Sequence, residues 1–162
     1  MKNVGKRYEL AINLRPMIEA DLTTVMKLER SIFPDPWPMS AFTDVLRGEQ
    51  WQSLVAEYDN QIIGYACFMM AAGEAHLANI AVHSDYRRKS VAQQLLDRIL
   101  QTVPQHGCTM ILLEVRQSNY AARAFYERSG FRKLYTRPHY YEEPVEDALV
   151  MVRYLEPLHR EN

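Results

Sequence analysis

Cysteine is scarce in this chain. Only Cys67 and Cys108 occur in 162 residues, and neither belongs to a CxxC pair. Both sit in or beside apolar runs, which reads as buried thiols and gives no basis for a disulfide framework or a thiolate metal site. No two histidines stand at ligand spacing, so no metal is expected. No apolar run approaches the roughly 20 residues of a membrane-spanning helix. The opening Met1-Lys-Asn-Val-Gly-Lys-Arg7 lacks the apolar centre of a signal peptide. A large excess of one charge is missing as well: the formal net charge of −1 gives no general pull toward nucleic acid or an anionic membrane. Repeats and low-complexity tracts are absent. What remains is the expectation of a soluble cytoplasmic protein. With 48% hydrophobic residues the chain can bury a core of its own. The expectation is one domain over residues 1–162, with loose tails at 1–8 and 156–162.

What is present is a succession of short periodic segments. Residues 12–16 read as a strand stopped by Pro16, and residues 19–32 carry apolar positions at helical period, with Asp21 in the first turn. Phe33-Pro-Asp-Pro-Trp-Pro38 forbids regular structure and reads as a stiff loop presenting Phe33 and Trp37. A short helix over 40–46 follows, with Ser40 as its expected N-cap and Gly48 as its stop. Strand patterns at 53–58, 62–70 and 76–82 are separated by Asp59-Asn60 and Gly73-Glu74, which predicts an antiparallel meander. The stripe Val91, Leu95, Leu96, Ile99, Leu100 and Val103 predicts a helix from about Ser90 to Val103, ended by Pro104 and Gly107. A strand at 110–115 follows, and a strand–helix–strand unit of this length implies a right-handed crossover and parallel pairing. Segments 131–135 and 149–154 read as closing strands around an aromatic and acidic loop, His139-Tyr-Tyr-Glu-Glu-Pro144. The fold class is therefore α/β, with a mixed and mostly antiparallel sheet.

The chain is organised around residues 112–131. An apolar strand ends at a carboxylate, Glu114, where open sheets bind ligands. After the polar turn Arg116-Gln-Ser-Asn119 comes a helix over 120–129, closed by Gly130. Tyr126 lies seven residues after Asn119, on nearly the same side. Ala121, Ala124, Phe125 and the stem of Arg128 are expected to face the sheet. Ordinary readings compete: Glu114 as a strand-end partner of Arg116, and Tyr126 as a half-buried phenol. A second stretch, Tyr86-Arg87-Arg88-Lys89-Ser90-Val91-Ala92, joins a strand end to a helix start. Unpaired N–H groups, partial positive charge and three cations would favour a phosphate there. A solvated basic turn capped by Ser90 is the plain alternative.

Arg-x-x-small-x-small before a helix, Leu-Glu-Val-Arg at a strand end, and Asn…Tyr…Gly-Phe together resemble the GCN5-related N-acetyltransferases (the GNAT superfamily). Within it the match is most similar to the ribosomal-protein-alanine group, the RimI type, over residues 12–154. Phe33-Pro-Asp-Pro-Trp-Pro and Asn79-Ile-Ala-Val add to the likeness. The resemblance implies a sheet with a parallel pair at its centre, about four flanking helices, and acetyl-CoA as donor. It implies that Ile80, Ala81 and Val82 offer backbone groups to the thioester and pantetheine arm. It implies that Arg87, Arg88, Lys89, Ser90, Val91 and Ala92 cradle the pyrophosphate, and that Asn119 contacts the pantetheine side. Glu114 would be general base and Tyr126 general acid. The acceptor implied is a protein N-terminus, that of a small-subunit ribosomal protein beginning with alanine. One departure is visible. The family carries glycine where Ser90 stands, and often where Arg88 stands. A right-handed backbone at Ser90 would tolerate its Cβ, and its hydroxyl could donate to a phosphate oxygen, whereas a left-handed one would be strained, which bears on cofactor affinity.

The chemistry asked of these groups is modest. An α-amine has a pKa of about 7.7–8.0 and must be neutral to attack a thioester. Glu114 can take the proton directly or through water. Leu112 and Leu113 are expected to desolvate it and raise its pKa. N–H groups near 80–82 would polarise the carbonyl. Neither cysteine is placed to form an acyl-enzyme, so direct attack in a ternary complex is expected. Trp37, Tyr140 and Tyr141 are candidate walls for an acceptor peptide, and Glu142 and Glu143 could attract a basic one. The same aromatics could merely pack two loops together. Alternative functions are acetylation of a small amine or a lysine side chain, or a non-catalytic acyl-CoA-binding module.

Overall fold

Strands form the framework of the molecule. The computed structural model describes residues 9–156; the tail expectations for 1–8 and 157–162 lie outside the described residues. Strands β1 (Asn13–Pro16), β2 (Trp51–Tyr58), β3 (Gln61–Ala71) and β4 (Glu74–Val82) form the expected antiparallel run. Asp59 and Asn60 turn β2 into β3 with φ of 51° and 58°, the paired left-handed geometry of a two-residue hairpin. Helix α3 (Val91–Gln105) then crosses over to β5 (Met110–Arg116), which lies parallel to β4. Helix α4 (Tyr120–Arg128) and the hairpin β6 (Arg132–Glu142) and β7 (Val145–Tyr154) complete the chain. The seven strands are ordered β1-β2-β3-β4-β5-β7-β6. Among the described residues only β4–β5 is parallel.

The sheet buries both faces. On one, the predicted α3 stripe packs with Leu77, Ile111, Leu113, Val115 and Tyr126. On the other, α1 (Leu22–Ile32) and α2 (Met39–Arg47) place Val25, Met26, Phe42 and Val45 against Val55, Tyr65 and Cys67. Each such side chain contributes roughly 1.5–3 kcal/mol by leaving water.

Three local expectations are corrected. Ser40 is not the N-cap of α2: Pro38 holds that position in extended conformation, so the helix begins one residue before Ser40. Pro104 does not end α3. It sits in the last turn, where it costs a single backbone bond, and the turn closes at Gly107, φ 75°. The inward face of α4 is Ala122, Phe125 and Tyr126, offset from the predicted stripe, so Tyr126 itself is the buried residue. That face follows the same i, i+3, i+4 rule, started at Ala122 instead of Ala121.

Candidate active site

The site begins where the ladder stops. β4 and β5 pair only at Glu74–Met110, Ala75–Ile111 and His76–Leu112. Just beyond, Ala78 is an extra residue in β4, since Cys67 pairs with Asn79 and Phe68 with Leu77. A bulge bends its strand and increases twist. Residues 77–82 and 113–116 therefore run on without each other, and the sheet opens into a V. The slot-facing backbone groups of Ile80, Ala81 and Val82, left without β5, are available to a ligand. The bulge also flips the strand's faces: Asn79 and Ala81 turn toward α1, while Ile80 and Val82 lie against the α3 core.

Below β4, α3 starts open. Its first intrahelical bond runs from Gln94 N to the Ser90 carbonyl, and no side chain caps it, so the Ser90 hydroxyl leaves the N–H groups of Val91, Ala92 and Gln93 free. Arg87, Arg88 and Lys89 are exposed around them. Val91 is buried and has only its backbone to offer. Arg88 and Ser90 both adopt left-handed backbone, φ 59° and 63°. Two positions where the resembled family carries glycine keep the glycine conformation without glycine. That conformation costs an L-residue about 1–2 kcal/mol, and it opens a cradle with the geometry an anion needs. Asn119 instead caps α4, its Oδ1 accepting from Ala122 N at 3.2 Å; its amide nitrogen stays free to reach a ligand.

Glu114 lies on the opposite face of β5 from Leu113 and Tyr126, and the open V is what lets both faces reach one slot. Its partner is not Arg116. Glu114 Oε2 is 2.5 Å from His76 Nε2, and Oε1 accepts from Arg137 Nη1 at 3.2 Å. Burial pushes the Glu114 carboxyl up, but the hydrogen bond and field of His76 and those of Arg137 outweigh it. The group sits below the ordinary carboxylate value, contrary to the expected rise. Leucine neighbours desolvate, but two nitrogen donors decide the sign.

Arg116 pairs with Glu146 at 3.4 Å, donates to the carbonyls of Glu143 and Pro144, and lies 4.2 Å over the Tyr141 ring. Tyr140 and Tyr141 meet edge to face at 5.0 Å, and Arg137 stacks on Tyr140 at 4.9 Å. Burial pushes the Tyr141 phenol up to about 12. Tyr126 is pushed up further, by burial and then by Tyr141. Its hydroxyl has no hydrogen-bond partner among the described residues, yet no fully buried side-chain polar atom there is orphaned, so the hydroxyl reaches open space. Trp37 stands apart. Its ring packs on Phe42 at 5.3 Å and Trp51 at 6.5 Å within the α1–α2 core, with no aromatic contact to Tyr140 or Tyr141. Its backbone N–H donates at 3.0 Å to Glu29, which is 1% exposed and also receives Asn79 Nδ2 at 2.9 Å and the Tyr65 hydroxyl. Glu29 thus ties the proline-rich loop to β4 just past the bulge.

Sequence reasoning missed His76, Arg137 and Glu29. For His76 the signal becomes visible only with the β4–β5 register, because His76 opposite Leu112 stands diagonal to Glu114. Among the described residues no three His, Cys, Asp or Glu side chains gather to hold a metal, and no helix is long and apolar enough to cross a membrane.

The mixed sheet is split at its one parallel junction, with an open helix start on one flank and a part-buried carboxylate on the other. The acetyltransferase (GNAT) family profile matches residues 22–131, and the chain belongs to that family. It is 32% identical over 133 residues to the [ribosomal protein bS18]-alanine N-acetyltransferase of Salmonella typhimurium (strain LT2), covering 81% of this chain and 89% of that one. The crystal structure of the ribosomal-protein-S18-alanine N-acetyltransferase from Escherichia coli superposes with a TM-score of 0.84 at 27% identity, covering 93% and 98% of the two chains. Arabidopsis thaliana NAA60 in complex with acetyl-CoA shares the fold, with a TM-score of 0.80 at 20% identity over 89% and 98%.

Proposed function

We propose that this N-acetyltransferase moves an acetyl group from acetyl-CoA to the N-terminal α-amine of a protein in the cytoplasm, a ribosomal protein beginning with alanine. The observation that carries this is the V itself, unpaired β4 backbone beside an uncapped α3 on one flank and Glu114 on the other. The acceptor class is supported by the name of the Salmonella relative.

In this reading the N–H groups of Val91 and Ala92, with Arg87, Arg88, Lys89 and Ser90, hold the pyrophosphate. The slot-facing backbone of Ile80, Ala81 and Val82 aligns the pantetheine arm and polarises the thioester carbonyl. The Asn119 amide reaches the same arm. Glu114 is the base toward which the amine's proton moves, and the neutral amine attacks directly. Tyr126 keeps its proton. An ordinary thiol near pKa 8.5 is a stronger acid than this raised phenol, so Tyr126 steadies the leaving sulfur by a hydrogen bond and does not give the proton away. Tyr140 and Tyr141, braced by Arg137 and Arg116, wall the acceptor side, and Trp37 shapes the facing loop from within the core.

The test is mass spectrometry of alanine-first peptides, N-blocked lysine peptides and polyamines incubated with acetyl-CoA. Acetyl on the α-amine of the first peptide is expected. Transfer confined to lysine or polyamine would replace the acceptor class.

A further inference from the structure

We propose that the exposed face of the edge strand β6 binds single-stranded nucleic acid. This goes beyond the acetyl-transfer reading and does not depend on it.

The net charge of −1 hides an uneven distribution. From Arg116 to Arg137 the chain carries six basic residues and one acidic residue, Glu127, a local charge of +5, so the remainder carries −6. From Arg128 to Tyr141 there is no acidic residue at all. The fold gathers this charge on β6, the last strand of the sheet, where nine of eleven residues are exposed. Arg116 and Arg137 are engaged with Glu146 and Glu114. Arg128, Arg132 and Lys133 are exposed, and among the described residues none of the three pairs with an acidic side chain.

Register assembles the surface. Arg132 stands opposite Val152, Tyr135 opposite Val150 and Arg137 opposite Ala148, so all three project from one face of the sheet. Val150 in turn stands opposite Glu114, which puts them on the face that carries the slot. At the outer end Arg132 lies 5.2 Å over the Tyr154 ring, and at the slot end Arg137 lies 4.9 Å over Tyr140. Tyr135 sits between these two pairs. Tyr154, Tyr135 and Tyr140 remain 53%, 50% and 43% exposed, far more than rings used to fill a core. Cations and rings thus alternate along roughly 15 Å of strand.

That composition selects the ligand. Charges on an edge strand also keep other strands from pairing with it. Such a guard needs charge alone and gains nothing from three exposed phenol rings. An acidic peptide would engage the cations and leave the rings idle. A chain of phosphates carrying flat bases uses both, with phosphates at the cations and bases stacked on tyrosine faces or guanidinium planes. A duplex keeps its bases stacked inside and offers none to the strip, so the strand is single.

Fluorescence anisotropy with a labelled oligonucleotide of mixed sequence, single-stranded and prepared as RNA and as DNA, tests this. Acetyl-CoA is kept at saturation so that Arg87, Arg88 and Lys89 are occupied. Saturable binding with Kd on the order of 10 μM at low salt is expected, weakening as salt rises. The tighter of the two strands identifies which polymer the surface serves. Reversing two exposed charges, Arg132→Glu together with Lys133→Glu, should weaken binding at least about tenfold and flatten its salt dependence. Tyr135→Ala should weaken it about tenfold through lost stacking. None of these residues belongs to the transfer site, so acetyl-CoA titration and peptide acetylation stay at the parent's level. Absence of saturable binding overturns the proposal, as does parent-like binding by the double variant or by Tyr135→Ala. A polyglutamate peptide that displaces the oligonucleotide at equal charge concentration overturns it too, since the rings would then contribute nothing. A parent that fails to acetylate the alanine-first peptide sinks the acceptor class alone, while anisotropy still judges the strip.

Discussion

The two flanks of the slot are built from different materials. On the β4–α3 flank the groups are chiefly backbone, unpaired strand amides after the Ala78 bulge and three uncapped N–H groups of α3, with the exposed cations Arg87, Arg88 and Lys89 around them. On the β5–β7–β6 flank they are side chains in contact: Glu114 with Arg137 and with His76, which reaches across from β4, Arg137 with Tyr140, and Arg116 with Tyr141 and Glu146. Backbone recognition suits a ligand that every turnover shares. Side-chain recognition suits the chemistry and the partner that must be told apart from others. The contrast predicts that substitutions on the two flanks separate cleanly, donor affinity on one and turnover on the other.

The largest expected effect lies on the side-chain flank. Glu114→Gln should lower kcat/KM for the acceptor about 1,000-fold while acetyl-CoA titration is unchanged; a matched loss of donor affinity would erase the distinction between the flanks. Next is the element joining them. Glu29→Ala leaves Asn79 Nδ2, the Tyr65 hydroxyl and the Trp37 N–H without their acceptor, and should cost about 3 kcal/mol in denaturant unfolding. A loss below about 1 kcal/mol would mean that the proline-rich loop holds to β4 without it. On the backbone flank, Ser90→Gly relieves a Cβ at φ 63° and should add about 1 kcal/mol of stability and tighten acetyl-CoA, with kcat little changed. Calorimetric titration checks it, and unchanged donor affinity would show that the strain plays no part in binding.

The smallest effect concerns pH. Asp21, held down first by Arg15, and Glu114 both lie below ordinary carboxylate values when folded. A depressed carboxylate stabilises fully above its unfolded value of about 4, and the gain is lost as pH falls through the folded value. Unfolding free energy should therefore drop between pH 5 and 3, with a shallower slope in Asp21→Asn and Glu114→Gln. Parallel slopes in parent and variants would contradict the assigned partners.

Much of this was legible in the residues. Strand alternation, the α3 stripe, the turn pair Asp59-Asn60 and Gly130 after α4 each carry a local signal, and the structure follows them. Glu114 at a strand end and the basic stretch before α3 were visible for the same reason. What stayed hidden depends on register or on distant pairing. His76 is one polar residue in an alternating strand until β5 lies beside it. Arg137 comes from a strand 23 residues downstream of Glu114. Glu29 reads as a polar position on a helix until Asn79 and Trp37 close on it. The reversed sign at Glu114 has the same origin, since neighbours in sequence were counted and neighbours in space decide.

The measurement that bears most directly on the split-sheet account is site-resolved mass spectrometry of an alanine-first ribosomal-protein peptide incubated with acetyl-CoA and either the parent or Glu114→Gln. One acetyl group on the peptide's α-amine with the parent, and almost none with the variant at equal donor occupancy, is the predicted result. Equal acetylation by both proteins, or none by the parent while it binds acetyl-CoA, would contradict it.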